Sequence, residues 1–77
     1  MAARDDPEGG LEKLGGNVRR LRLERGLSQE ALADLARISQ SQVSTLEIGE
    51  HEPGVLAVLR IARALHVEPQ ELLRGIR

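Results

Sequence analysis

Aliphatic residues in this chain recur at intervals of three and four, and each run is cut by glycine, serine or proline. That pattern is satisfied by short amphipathic helices. Leu14, Val18 and Leu21 share one helical face, and Gly26 offers the left-handed conformation in which helices commonly end. A first helix is therefore expected from about Leu11 to Gly26, with Gly15 and Gly16 weakening its early turns. Ser28 is an N-cap for a short second helix whose apolar face is Ala31, Leu32, Leu35 and Ala36. Ser39 caps a third helix running to about Ile48, with Val43 and Leu46 inward and Gly49 as its stop. After Pro53 and Gly54, a fourth carries Val55, Val58, Leu59, Ala62 and Leu65 at i, i+3, i+4, i+7 spacing, while Arg60 and Arg63 point elsewhere. Pro69 suits the first turn of a fifth helix, where its missing N–H costs nothing, and Leu72, Leu73 and Ile76 give that helix something to bury. The fold class predicted is all-α, five helices and no strand.

The chain has 77 residues, no cysteine and no Phe, Tyr or Trp. Its length suits one domain, and the core must be built from Leu, Ile, Val and Ala, which bury less area per residue than aromatics. With no disulfide to staple so small a core, burial of further surface by a second copy is expected. Residues 1–10 combine Pro, paired Gly and charge without apolar periodicity, so they read as a flexible N-terminal arm ahead of a domain spanning 11–77. The polar, acidic opening predicts no signal peptide, and charges interrupt every apolar run long before membrane-spanning length. A cytoplasmic location with no membrane partner is the expectation.

Net charge is -1, which by itself does not advertise a polyanion partner. The distribution is more telling: residues 16–77 hold nine basic and eight acidic side chains, and Arg19, Arg20, Arg22 and Arg25 face only Glu24 within their segment. That local excess suits a neighbouring phosphate backbone.

The segment GLSQEALADLARISQSQVSTLEIGEHEP places two short helices on either side of a tight turn, and the second exposes small polar side chains. Through LSQEALA, VSTLEIG, Pro53 and LRIARAL the chain resembles the Cro and phage-repressor family, also called XRE-type, over residues 14 to about 74. The resemblance implies a lambda-repressor-like, helix-turn-helix DNA-binding domain whose partner is double-stranded DNA. At about 100° per residue, Val43, Leu46 and Glu47 share one side of the third helix, and Ser41, Thr45 and Ile48 project from the other, toward the major groove. Gln40 at the helix start carries a donor and an acceptor that match adenine N6 and N7. Ser41, Ser44 and Thr45 are the further base-reading candidates, and the Thr45 methyl also suits thymine. Gln29 lies in the first turn of the second helix, where free backbone N–H groups favour an anion, and the family uses this Gln on phosphate. Arg19, Arg20, Arg25, Arg37, Ser39 and Gln42 complete the phosphate candidates. Arg22 and Glu47 match a pair that, in the family, joins the first helix to the end of the third through a partly buried ion pair, a structural role.

Two features depart from the family pattern. The turn between the second and third helices usually carries Gly, whereas ARIS stands here, so Arg37 must take a strained left-handed backbone or alter the turn. Relatives commonly show basic residues where this chain reads IGEHEP, and Glu50 and Glu52 repel phosphate. An enzyme is not expected: His51 and His66 have neither metal-ligand nor triad-like spacing, and no nucleotide fingerprint occurs, so no catalytic residue, metal or cofactor is assigned. The leading expectation is a homodimeric repressor-like regulator reading a roughly palindromic operator, with Leu72, Leu73 and Ile76 at the dimer interface. The rival is an antitoxin-like protein-interaction module of the same fold, favoured by the acidic loop and neutral charge. A restriction-modification controller is a further regulatory reading that the residues do not separate from other repressors or activators.

Overall fold

In the computed structural model, which describes Asp6 and residues 9–76, the chain forms α1 (Gly10–Glu24), α2 (Gln29–Ala36), α3 (Gln40–Glu47), α4 (Val55–Leu65) and α5 (Pro69–Leu72), with no strand among the described residues. None of these helices is long and apolar enough to cross a membrane.

The fold begins earlier than composition suggests. The Asp6 carboxylate accepts the Gly10 and Leu11 amide N–H groups, each at 2.7 Å, satisfying two of the free donors at the start of α1. Asp6, Gly9 and Gly10 therefore belong to the domain rather than to an arm; the rest of the predicted 1–10 arm lies outside the described residues.

Four helices end in the same way. Residues Gly26, Arg37, Gly49 and His66 each take a left-handed backbone, and the amide of the following residue reaches back to a carbonyl of the last turn: Leu27 to Arg22, Ile38 to Ala33, Glu50 to Thr45, Val67 to Ala62. This is the Schellman arrangement, usually sealed by an apolar residue after the left-handed one. Leu27, Ile38 and Val67 do seal theirs against the core, whereas the residue after Gly49 is the exposed Glu50. Arg37, at φ 60°, thus takes the left-handed alternative at a turn without glycine.

The core consists of Leu14, Val18 and Leu21 from α1, Leu32, Ala33 and Ala36 from α2, Val43 and Leu46 from α3, Ile61, Ala62 and Leu65 from α4, and Leu72 from α5. Two helices are rotated from the faces their spacing suggests. Leu35 turns outward and Ala33 inward on α2. On α4 the buried side is Ile61, Ala62 and Leu65, with Val58 half-buried, and Val55 and Leu59 face solvent. Because α4 is apolar nearly all round, periodicity admits several faces, and packing against α2 and α5 selects one.

Candidate nucleic-acid interface

Helix α3 starts in a capping box. The Ser39 hydroxyl accepts the Gln42 amide N–H at 3.0 Å, and Gln42 Oε1 accepts the Ser39 amide N–H at 2.9 Å. Both side chains, predicted as phosphate contacts, first serve to start the helix, which leaves the Ser39 hydroxyl hydrogen and the Gln42 amide nitrogen for a partner.

Its inward side is held by a charged clamp. Arg22 Nε donates to Glu47 Oε2 at 2.7 Å and a terminal nitrogen donates to Oε1 at 3.1 Å, while the other terminal nitrogen donates to the Leu27 carbonyl at 2.8 Å. Gln29 Nε2 donates to Glu47 Oε1 at 3.0 Å. Both ion-pair partners are buried, and the four groups join α1, the turn after it, the start of α2 and the end of α3. Close helix contact completes the docking: a Cβ on Gly15 would lie 2.3 Å from the Leu46 carbonyl oxygen, so α1 crosses α3 at a spacing only glycine permits. Sequence reasoning valued Gly15 only for its poor helix propensity. The Asp6 cap and the Asn17 side chain, which donates to the Leu72 and Arg74 carbonyls at 2.8 and 2.9 Å, were also missed. An acidic residue just ahead of a predicted helix start was the available signal for Asp6; the Asn17 contact spans 55 residues and has no local signature.

With that side fixed, the opposite side of α3 presents Ser41 exposed, Ser44 and Thr45 half-exposed, and Ile48 exposed at the C-cap, and Gln40 is exposed at the helix start. The Thr45 hydroxyl donates to the Ser41 carbonyl at 3.0 Å, which satisfies its donor within α3. Ser41, Ser44, Thr45 and Ile48 form one continuous stripe along α3, with Gln40 at the helix start beside it.

Of the predicted phosphate contacts, Ser39, Gln42 and Gln29 lie on or against α3, and the arginines lie on other elements. Arg19 and Arg20 lie with Gly16 and Leu23 on the side of α1 turned away from the core, and Arg20 faces Glu24 at 3.4 Å. Arg25 is partly engaged within the fold: its Nε donates to the Leu65 carbonyl and its guanidinium lies 3.7 Å from Glu24, which links the end of α1 to the end of α4. Arg37 lines a surface hollow with Leu35, Ala36, Arg60 and Arg63. The dimer prediction needs a correction. Leu72 is 0% exposed within the monomer and has no surface left for a partner, and Ile76 is half-buried against the core, leaving Leu73 accessible. The conspicuous outward apolar residues are instead Val55, Leu56 and Leu59 of α4.

A family model described as helix-turn-helix matches residues 18–72, which take in α2, α3 and the clamp. The chain belongs to the helix-turn-helix family. It is 40% identical over 60 residues to an HTH-type transcriptional regulator, y4dJ, of Sinorhizobium fredii, covering 78% of each chain. Among solved structures it resembles the restriction-modification controller protein C.AhdI of Aeromonas hydrophila, with 42% identity, 80% of this chain and 94% of that one covered, and a TM-score of 0.79. It also resembles the DNA-binding domain of the P22 C2 repressor, with 31% identity, 80% and 82% coverage and a TM-score of 0.77. The five-helix arrangement is thus the repressor type of helix-turn-helix domain, α2 and α3 forming the motif itself. The family is one of regulators rather than enzymes.

Proposed function

We propose that the chain is a sequence-specific, DNA-binding transcription regulator acting as a homodimer in the cytoplasm, with each α3 in the major groove of one half of a roughly palindromic operator. The observation that carries this reading is the outward stripe of α3, small and polar, on a helix whose other side is locked by a buried ion pair. Small side chains let the rod approach base edges closely, and a fixed rod delivers them in register. Gln40 pairs with adenine N6 and N7, and Ser41, Ser44 and Thr45 reach adjacent base edges. Gln29, Ser39 and Gln42 sit at helix starts, where backbone N–H groups also favour a phosphate, and Arg19, Arg20 and Arg37 supply surrounding positive charge.

One copy carries a single α3, so occupying two successive major grooves roughly 34 Å apart takes two subunits. The α4 face, with Val55 75% and Leu56 66% exposed and Leu59 beside them, is the surface a second copy would cover, together with Leu73.

Selection from a random duplex pool tests the reading directly: a defined, symmetric sequence is expected to be enriched. With about four phosphates neutralised per subunit, log affinity for it falls against log salt with a slope near -7. No enrichment, or a flat salt response, would overturn it. The acidic loop at Glu50 and Glu52 and the open α4 face favour one rival, a protein partner held on α4. A chain that stays monomeric and copurifies with one stoichiometric protein would point that way.

A further inference from the structure

We infer that Ile48 is a specificity residue that reads thymine through its C5-methyl group; this deepens, and rests on, the placement of α3 in the major groove. Ile48 is the C-cap of α3 and is 60% exposed. At about 100° per residue it falls in line with Ser41, Ser44 and Thr45, opposite Val43, Leu46 and Glu47. It is the one large aliphatic in a stripe otherwise made of serine and threonine.

Its position is firm. The Glu50 amide N–H bonds the Thr45 carbonyl at 2.9 Å and closes the helix end around Ile48. The next residue, Gly49, is packed so tightly on α1 that an added Cβ would lie 3.2 Å from the Glu12 Cα. The side chain therefore projects from backbone anchored on both sides.

An isoleucine has neither donor nor acceptor. Placed against a guanine, cytosine or adenine edge it would strip water from a polar group and return nothing, which disfavours those bases. The thymine C5-methyl is the apolar group among base edges in the major groove, so selection comes from attraction to one base and from a penalty on the others.

Deoxyuridine in place of thymine removes that methyl and keeps every hydrogen-bonding group. The test takes the full chain, the site it enriches from a random duplex pool, and the same site with each thymine of a half-site changed singly to deoxyuridine. At one position the wild type is expected to lose about fourfold in affinity, the worth of one buried methyl. Ile48→Ala is expected to bind the thymine and deoxyuridine duplexes equally at that position, and to melt as the wild type does, because the removed atoms face solvent. Thr45→Ser, which removes the other methyl in the stripe, is expected to keep the deoxyuridine penalty there. An enriched site with a flat deoxyuridine scan overturns the role of Ile48 and leaves the groove placement of α3 intact. A penalty that survives Ile48→Ala and disappears in Thr45→Ser assigns the methyl to Thr45 and likewise overturns it. If no sequence is enriched, the placement of α3 fails and the inference fails with it.

Discussion

Arg22 is worth more to this domain than a surface ion pair because its three donor contacts and its charge are all out of water. Truncating it leaves Glu47 buried with only the Gln29 amide as partner. Arg22→Ala is expected to cost about 3–5 kcal/mol in chemical denaturation, enough to threaten a small domain. Thr45→Gln, at a half-exposed position on the proposed reading stripe, is expected to stay within about 0.5 kcal/mol of the wild type while changing the bases selected from a duplex pool. Similar denaturation losses for both would refute the division between clamp and reading surface. Arg37 presents the opposite case, a residue the fold tolerates rather than needs. Its side chain is exposed and its φ is 60°, so Arg37→Gly removes the steric cost of the left-handed turn and is expected to raise stability by about 1 kcal/mol, read as a higher melting temperature.

At the scale of elements, what matters is how α3 is held against α1. Neighbouring glycines in α1 make a sharp test. Gly16 is exposed with nothing within 4 Å of an added Cβ, and Gly16→Ala is expected to stabilise by about 1 kcal/mol through helix propensity alone. A Cβ on Gly15 meets the Leu46 and Glu47 carbonyl oxygens at 2.3 and 2.6 Å, and those are backbone atoms that cannot rotate aside. Gly15→Ala is therefore expected to cost about 1–3 kcal/mol despite the same propensity gain, and to weaken DNA binding by tilting α3. Two melting curves check this: a Gly15→Ala that melts higher, as Gly16→Ala should, would show that the close crossing does not bear on stability. Much of this level was legible beforehand. Ser28 and Ser39 cap where expected, Gly26 and Gly49 end their helices, and the helix order holds. The rotation of α2 and α4 was not legible, because Leu35 competes with Ala33, and Leu59 with Ile61, for burial. Periodicity cannot rank apolar residues that a neighbouring helix has yet to choose between.

For the whole molecule, the outward face of α4 is the surface on which the proposed homodimer would form. A helix with Ile61, Ala62 and Leu65 buried on one side and Val55, Leu56 and Leu59 open on the other is apolar on both, and the open side is the one a second copy would remove from water. Leu56→Glu combined with Leu59→Glu is expected to yield a folded monomer by analytical ultracentrifugation and to weaken operator binding at least tenfold, since each subunit then binds alone. A double variant that remains dimeric would move the interface elsewhere, with Leu73 the next residue to change.

By itself the sequence determined the elements and their class: where helices start and stop, that the core is aliphatic, which helix carries the polar stripe, and that Arg22 and Glu47 belong together in a helix-turn-helix frame. Those features depend on neighbours a few residues away or on a spacing shared with relatives. Only the tertiary structure decided which apolar faces are inside, that Leu72 is core rather than interface, that Arg25 is tied to the Leu65 carbonyl, and that Gly15 is a crossing point. Each of those depends on atoms far along the chain coming within contact distance, and local periodicity carries no information about which distant surface will arrive.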